Sequence, residues 1–370
     1  MRLTPEGLFP PKPKNLRGRS GELAALVREI SPRESRRFAL VGQGGSGKSV
    51  LACALGHRVA SMFRGHVHWF RVGAWDARTI GEMLAMRFGT TCERSRLFPA
   101  LSRHMAERGP MFVVFDNHED DRAMARVLDE LRDAKATWII TARRCLLSGV
   151  SLYPVTPPLV AAGRNAFPRV AQLTKLLRFN PLGLDIADAL VASGATSVVE
   201  LRRWLIANGI QRVRAIDHED DLPEVALLVD FAYRKLGKTA RRLLLVLSQV
   251  TGDHVGIDSL LELARASGAE GRRALERLVE WHLVQEPFRS RYALHAVVKY
   301  ALRNRGEIDA KIIVDHYLDL LERHPDRFDL EQTHFFAAMD YAHTQGNLPM
   351  ALRIDELFDT LRSALSAEPL

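Results

Sequence analysis

The chain has 370 residues, 47% of them hydrophobic and 26% charged. That is ordinary globular composition and excludes a disordered, collagen-like or disulfide-stapled protein. Lys and Arg exceed Asp and Glu by 52 to 44, a net charge of +8, but the arginines are scattered, which favours weak attraction to polyanions over a dedicated nucleic-acid surface. At ~150 residues per domain the length predicts two or three domains. No apolar run approaches the ~18 residues of a membrane helix, so no membrane partner is expected. Cys53, Cys92 and Cys145 are far apart and in no metal-like spacing. They predict reduced thiols in a cytoplasmic protein.

Residues 1–15 carry Pro5, Pro10, Pro11 and Pro13 and predict a flexible leader. Over 16–160, short apolar runs alternate with helical periods. Strands are expected at Phe38–Val41, His66–Val72, Met111–Phe115, Thr137–Thr141 and Leu152–Val155, and helices at Glu22–Ile30, Lys48–Ala60, Thr79–Phe88, Leu97–Glu107 and Arg122–Arg132. This alternation predicts an α/β domain with a wound parallel sheet. From 161 to 235 the strands stop, and Ala161–Ala192 and Ser197–Leu205 predict an all-α helical domain, with the acidic run Asp217–Asp221 as a solvated connector. Residues 236–304 predict a winged-helix domain: helices Ala240–Gln249, Ile257–Ala264 and Gly271–Trp281, then a short strand pair, Leu283–Gln285 and Tyr292–Leu294. Residues 305–370 read as a C-terminal helical segment, and the hairpin pattern around Gly346-Asn347 suggests the start of helical repeats.

The strongest chemical signal is Gly42-Gln43-Gly44-Gly45-Ser46-Gly47-Lys48-Ser49, a full match to G-x-x-x-x-G-K-[ST] between a strand and a helix. Its glycines let successive N–H groups curl around phosphate, and the helix N-terminus adds partial positive charge. Lys48 is expected at the β- and γ-phosphates, the Ser49 hydroxyl at Mg²⁺, and Val50 beside them in the first helical turn. Met111–Phe115 runs into Asp116, the expected metal carboxylate. Glu119 is the candidate for orienting the attacking water, and Arg143, after the strand Trp138–Thr141, is the candidate sensor of the γ-phosphate.

In this order the motifs resemble a STAND-class P-loop NTPase of the NB-ARC type. The resemblance spans about residues 16–303. It starts with Leu16-Arg17-Gly18-Arg19-Ser20-Gly21-Glu22-Leu23 and runs through the P-loop, Val114–Glu119 and Thr141-Ala142-Arg143. Asn180-Pro181-Leu182-Gly183-Leu184 and Tyr292–Val298 complete it. It implies that Arg17, Gly18 and Arg19 lie against the adenine, that Pro181 packs near the base, and that His295 of the winged helix touches the β-phosphate of ADP. Ala296 stands where the family carries Asp, which implies a less firmly oriented His295, and Asn180 replaces a glycine.

The resemblance implies an ATP/ADP-binding signalling switch with slow Mg²⁺-dependent hydrolysis, its nucleotide state controlling winged-helix docking and assembly with protein partners, in trans or by self-association. One alternative is a DNA-binding ATPase of the AAA+ origin-recognition kind. The expected recognition helix mixes Arg272, Arg273 and Arg277 with Glu270, Glu276 and Glu280, so specific DNA is the lesser expectation. The other is a scaffold that holds nucleotide without turnover.

Overall fold

A computed structural model describes residues 9–13, 16, 19–90, 92, 94–156, 167–208, 223–252 and 254–366. The first half is a five-stranded parallel sheet in the order β2-β3-β4-β1-β5, built from β1 (Arg36–Val41), β2 (Val67–Arg71), β3 (Met111–His118), β4 (Ala136–Ala142) and β5 (Ser151–Pro154). Helices α1 (Ser20–Glu29), α2 (Lys48–Val59), α3 (Ala77–Phe88), α4 (Leu97–Arg108) and α5 (Asp121–Glu130) cover its two faces. The strand period of two sorts the side chains. Phe38, Leu40, Phe112, Val114 and Ile139 pack with Leu26, Leu51 and Leu55 of α1 and α2. Ala39, Val113, Phe115, Trp138 and Ile140 point the other way, to α3, α4 and α5. Both faces are buried, so these strands read as continuous apolar runs.

The helix expected over 161–192 is interrupted. Residues 161–166 lie outside the described ones, a 3₁₀ turn spans Pro168–Leu173, and α6 (Pro181–Ala192) begins only after Arg178 and Phe179, both at positive φ. Pro181 has no N–H to continue a preceding helix and holds Asn180 extended, with ψ 119°. The Asn180 side chain then caps α6 by accepting from Gly183 N at 3.0 Å. The acidic run Asp217–Asp221 lies outside the described residues.

Helices α7 (Val198–Ala207), α8 (Pro223–Lys235), α9 (Lys238–Gln249), α10 (Ile257–Leu263) and α11 (Gly268–Glu280) follow. A three-stranded antiparallel sheet, β6-β8-β7, combines Val255–Gly256, Arg291–Ala293 and Gln285–Phe288. The strand pair is thus displaced by a few residues from Leu283–Gln285 and Tyr292–Leu294, and β6 has too few residues to show a period. From Phe167 to Leu302 the helices and this sheet share one continuous apolar core.

Helix α12 (Ala296–Leu302) leads into α13 (Ala310–Arg323), α14 (Phe328–Thr344) and α15 (Leu348–Ser366). Helix α13 carries two apolar stripes. Ile313, Tyr317 and Leu320 enter the core of the middle region, and Val314, Leu318 and Leu321 enter the core on the α3 side of the parallel sheet. Phe335 and Phe336 of α14 and Ile354, Leu357 and Phe358 of α15 join that second core, with Phe336 against Trp75 at 6.3 Å between ring centroids. Residues 314–361 therefore pack back on the α/β domain. Among the described residues no helix is long and apolar enough to cross a membrane.

Candidate functional site

The glycine loop leaves β1 at the carboxyl end of the sheet, where parallel sheets place ligands. Its backbone is shaped for close approach: a Cβ on Gly42 would lie 2.4 Å from Val155 O, and Gly47 has φ +92°. Arg19 is buried beneath the loop. One of its Nη atoms donates to Ser46 O at 2.5 Å and Thr156 O at 2.7 Å, and the other to Glu22 at 2.7 Å. These bonds tie the loop at Ser46 to the segment that follows β5. Of the three residues implied at the adenine, Arg19 is thus a prop of the loop, and Arg17 and Gly18 lie outside the described residues.

Lys48 opens α2 and bends back over the loop, donating from Nζ to Gly42 O and Gln43 O, both at 2.8 Å. Burial lowers its pKa to about 8; Asp116 opposes that shift and Arg143 adds to it. Ser49 Oγ donates to Asp116 Oδ1 at 2.7 Å, and Thr141 Oγ1 donates to the same oxygen at 2.6 Å. Thr141 Oγ1 also accepts from Asn117 N at 2.9 Å. The strand expected to stop at Asp116 continues to His118 with a bulge after Phe115, and Asn117 sits at φ +58°. A bulge turns successive side chains to new directions, and Asn117 Nδ2 donates to the exposed Glu119 at 2.7 Å. Arg143, also exposed, follows β4 directly.

These residues fit a nucleoside triphosphate with Mg²⁺. Among the described residues Ser46 Oγ is buried with no hydrogen-bond partner, and the loop backbone offers donors around a Cβ-free turn. Mg²⁺ keeps much of its water and needs only one or two protein oxygens beside the phosphates; Ser49 and Asp116 would supply them.

The opposite wall comes from far along the chain. A cavity of about 390 Å³ is lined by Gly44, Gly45, Gly47, Lys48, Ser49 and Val50 on one side, and by Gln285–Phe288, His295 and Ala296 on the other. Asp116, Glu119 and Arg143 lie along it. His295 caps α12, its Nδ1 accepting from Val297 N at 3.2 Å. Burial, then Arg71, Lys48 and Arg143, hold its imidazole down to about 4, hence neutral at pH 7.

Pro181 does not line this cavity; its neighbour Asn180 meets the loop instead, donating from Nδ2 to Gly44 O at 3.3 Å. Three further residues were not singled out from sequence. Thr141 had a signal, since a hydroxyl at the end of β4 faces its neighbour strand. Arg71 and Lys299 had none, because one arginine among many, or one lysine on a short helix, reads as surface.

The wall is fixed by a buried ion pair. Arg291 of β8 donates from its two Nη atoms to Glu331 of α14 at 2.8 and 2.6 Å, and from Nε to His254 Nδ1 at 2.7 Å. His334, stacked 3.8 Å from Tyr317, shares a 2.8 Å hydrogen bond with His254 O. An arginine donating to Nδ1 requires that nitrogen unprotonated, and burial with Arg291 keeps the His254 pKa well below the ordinary value.

A parallel sheet of this order, a glycine loop after β1 and a carboxylate at the bulge near the carboxyl end of β3 define a P-loop NTPase domain with helical parts attached. No family model and no curated protein matches the sequence. Among solved structures the chain is similar to Cdc6p from Pyrobaculum aerophilum, at 14% identity over 82% of this chain and 100% of that one, with TM-score 0.37. It is similar also to the Aeropyrum pernix ORC1 protein in complex with DNA, at 16% identity over 81% and 94%, TM-score 0.34. A third is domain III of the Thermotoga maritima replication initiation protein DnaA, at 15% identity over 62% and 98%, TM-score 0.30. At these scores no residue role passes from those proteins to this chain.

Proposed function

We propose that the chain is an ATP/ADP-binding switch with slow Mg²⁺-dependent hydrolysis, of the STAND NB-ARC kind, in which bound nucleotide holds a winged-helix unit (236–304) against the P-loop. The observation that carries it is the cavity in which His295 and the 285–288 strand face Lys48 and Ser49. Lys48, Arg143 and Arg71 act on His295 from the other wall, so the closed arrangement gathers cations that phosphate would neutralise. Mg²⁺ would screen the phosphate oxygens and stabilise charge on the leaving group. Asp116 and Ser49 are the residues to hold it, Lys48 contacts the phosphates, Glu119 orients water and Arg143 reads the γ-position. A ligand shifts the open–closed balance only by its differential contacts, and His295 is the contact specific to the closed form. Protein partners, in trans or as further copies, would meet the surfaces that opening uncovers.

The test is nucleotide titration of the wild type and of Lys48→Ala, with and without Mg²⁺. The wild type is expected to bind ADP and ATP and the variant to lose both; equal affinity in the variant overturns the assignment.

The second reading is a DNA-binding ATPase of the AAA+ class, the kind of complex named for the Aeropyrum protein. It is favoured by α11, whose Arg272, Arg273 and Arg277 are exposed. Against it, Glu276 and Glu280 share that surface and residues 285–288 of the wing face the nucleotide cavity. Binding to duplex DNA across a salt series decides: sequence-selective binding at physiological salt favours the second reading.

A further inference from the structure

Beyond the P-loop cavity lies a larger one of about 800 Å³, between the carboxyl ends of β2, β3 and β4 and helix α12. The two share Arg71, Glu119 and Arg143 as a common wall. The larger one is lined besides by Arg144, Lys299 and Arg303, so among the described residues five lysine and arginine side chains stand against two carboxylates, Glu119 and Asp121. Asp121 is already engaged, accepting from Leu146 N at 2.8 Å and lying 2.7 Å from His118 Nε2. Lys299 donates to Val250 O at 2.5 Å, and burial and Arg71 hold its pKa down to about 8, with Glu119 opposing. Cations crowded in a walled cleft favour an anion there.

The cleft also offers a ring platform. Arg303 lies 3.4 Å from the Tyr300 ring centroid, Tyr300 stays 36% exposed, and Trp75 lies on the α/β side. Guanidinium and aromatic planes beside phosphate-binding cations are how nucleobases are gripped without sequence readout. The volume lies within the range of about 300–1,000 Å³ usual for small-molecule sites.

We propose that this cleft is a second ligand site, taking a small anion that carries an aromatic ring, of the nucleoside-phosphate class. Resting on the P-loop reading, its occupant opposes ATP more than ADP, because it and a γ-phosphate share Arg71 and Arg143, and the opposition is reciprocal.

The probe is guanosine 5′-monophosphate, titrated by calorimetry into protein saturated with ADP and Mg²⁺. One saturable site is expected, weaker with inorganic phosphate alone. Binding is expected to fall roughly tenfold in Tyr300→Ala and in Arg303→Ala, and to persist in Tyr300→Phe, which keeps the ring. Circular dichroism checks that the variants fold. Absence of saturable binding, equal binding in both alanine variants, or binding of a short single-stranded oligonucleotide but not the monophosphate overturns the second site. Failure of ADP itself to bind is a separate result that overturns the P-loop reading, and the monophosphate titration then runs on protein without ADP. If the second site binds but ATP and ADP affinities respond equally, the coupling is overturned.

Discussion

At the P-loop, Asp116 of β3 receives two hydroxyls, from Ser49 in the first turn of α2 and from Thr141 of the neighbouring strand β4. Across the molecule, Glu331 receives the forked guanidinium of Arg291 from a different sheet, 40 residues away in sequence. In the proposed function the first junction is half of a ligand site, because Ser49 and Asp116 would turn their oxygens to a metal ion. The second has its donors and acceptors filled by protein and sits buried, so it serves shape: it fixes β8 and the 285–288 strand over the P-loop. Damage to the first should cost turnover and damage to the second should cost folding, although each is a carboxylate accepting two side-chain hydrogen bonds.

The largest effect is expected at the second junction. Glu331→Ala leaves Arg291 buried without its partner and should destabilise the protein by roughly 3–5 kcal/mol, read by chemical denaturation. A loss under half of that would make the pair a bystander. Acid should attack the same wall. His295 and His334 are held to about 4 against an ordinary 6.5, by burial first. The unfolded chain therefore takes up protons between pH 6.5 and 4 that the folded one refuses. Their stabilisation is full above about pH 6.5 and is lost as pH falls toward 4. A melting temperature flat across that window contradicts it.

Asp116→Ala should reduce Mg²⁺-dependent turnover about a hundredfold while shifting the denaturation midpoint little; if it unfolds the protein as Glu331→Ala does, the contrast between the junctions disappears. The smallest change is expected for His295→Ala: roughly tenfold weaker ADP binding, the low end for a bond to a charged group, with ATP affinity nearly unchanged. Scattering from the ADP-bound variant should show a larger molecule, and unchanged affinity and dimensions would reduce His295 to a helix cap.

Apart from Thr141, the first junction was legible in the sequence, and the second was not. A glycine loop, its lysine and a carboxylate closing an apolar strand are bound to local backbone geometry, so spacing carries them. The parallel strands were equally readable, because each is a continuous apolar run between turns. Arg291 and Glu331 show nothing locally: one sits in a three-residue strand and the other in an ordinary helix, and only the fold brings them together. The same holds for Arg71 and Lys299. Proline chemistry explains the break at Pro181, where apolar periodicity alone suggests an unbroken helix, and the contact of Asn180 with the loop has no counterpart in the resemblance, which implies only Pro181 near the base.

Helix α13, with one stripe in each core, sets the order in which this chain can mature during synthesis. The α3 side of the parallel sheet gets its outer apolar wall from residues 314–361, made after the whole middle region. Until they emerge, Phe336 is not there to meet Trp75, and that face of the nascent domain stays open to water and to chaperones. The P-loop half is synthesised before the residues that close its core, a long-range dependence that slows folding.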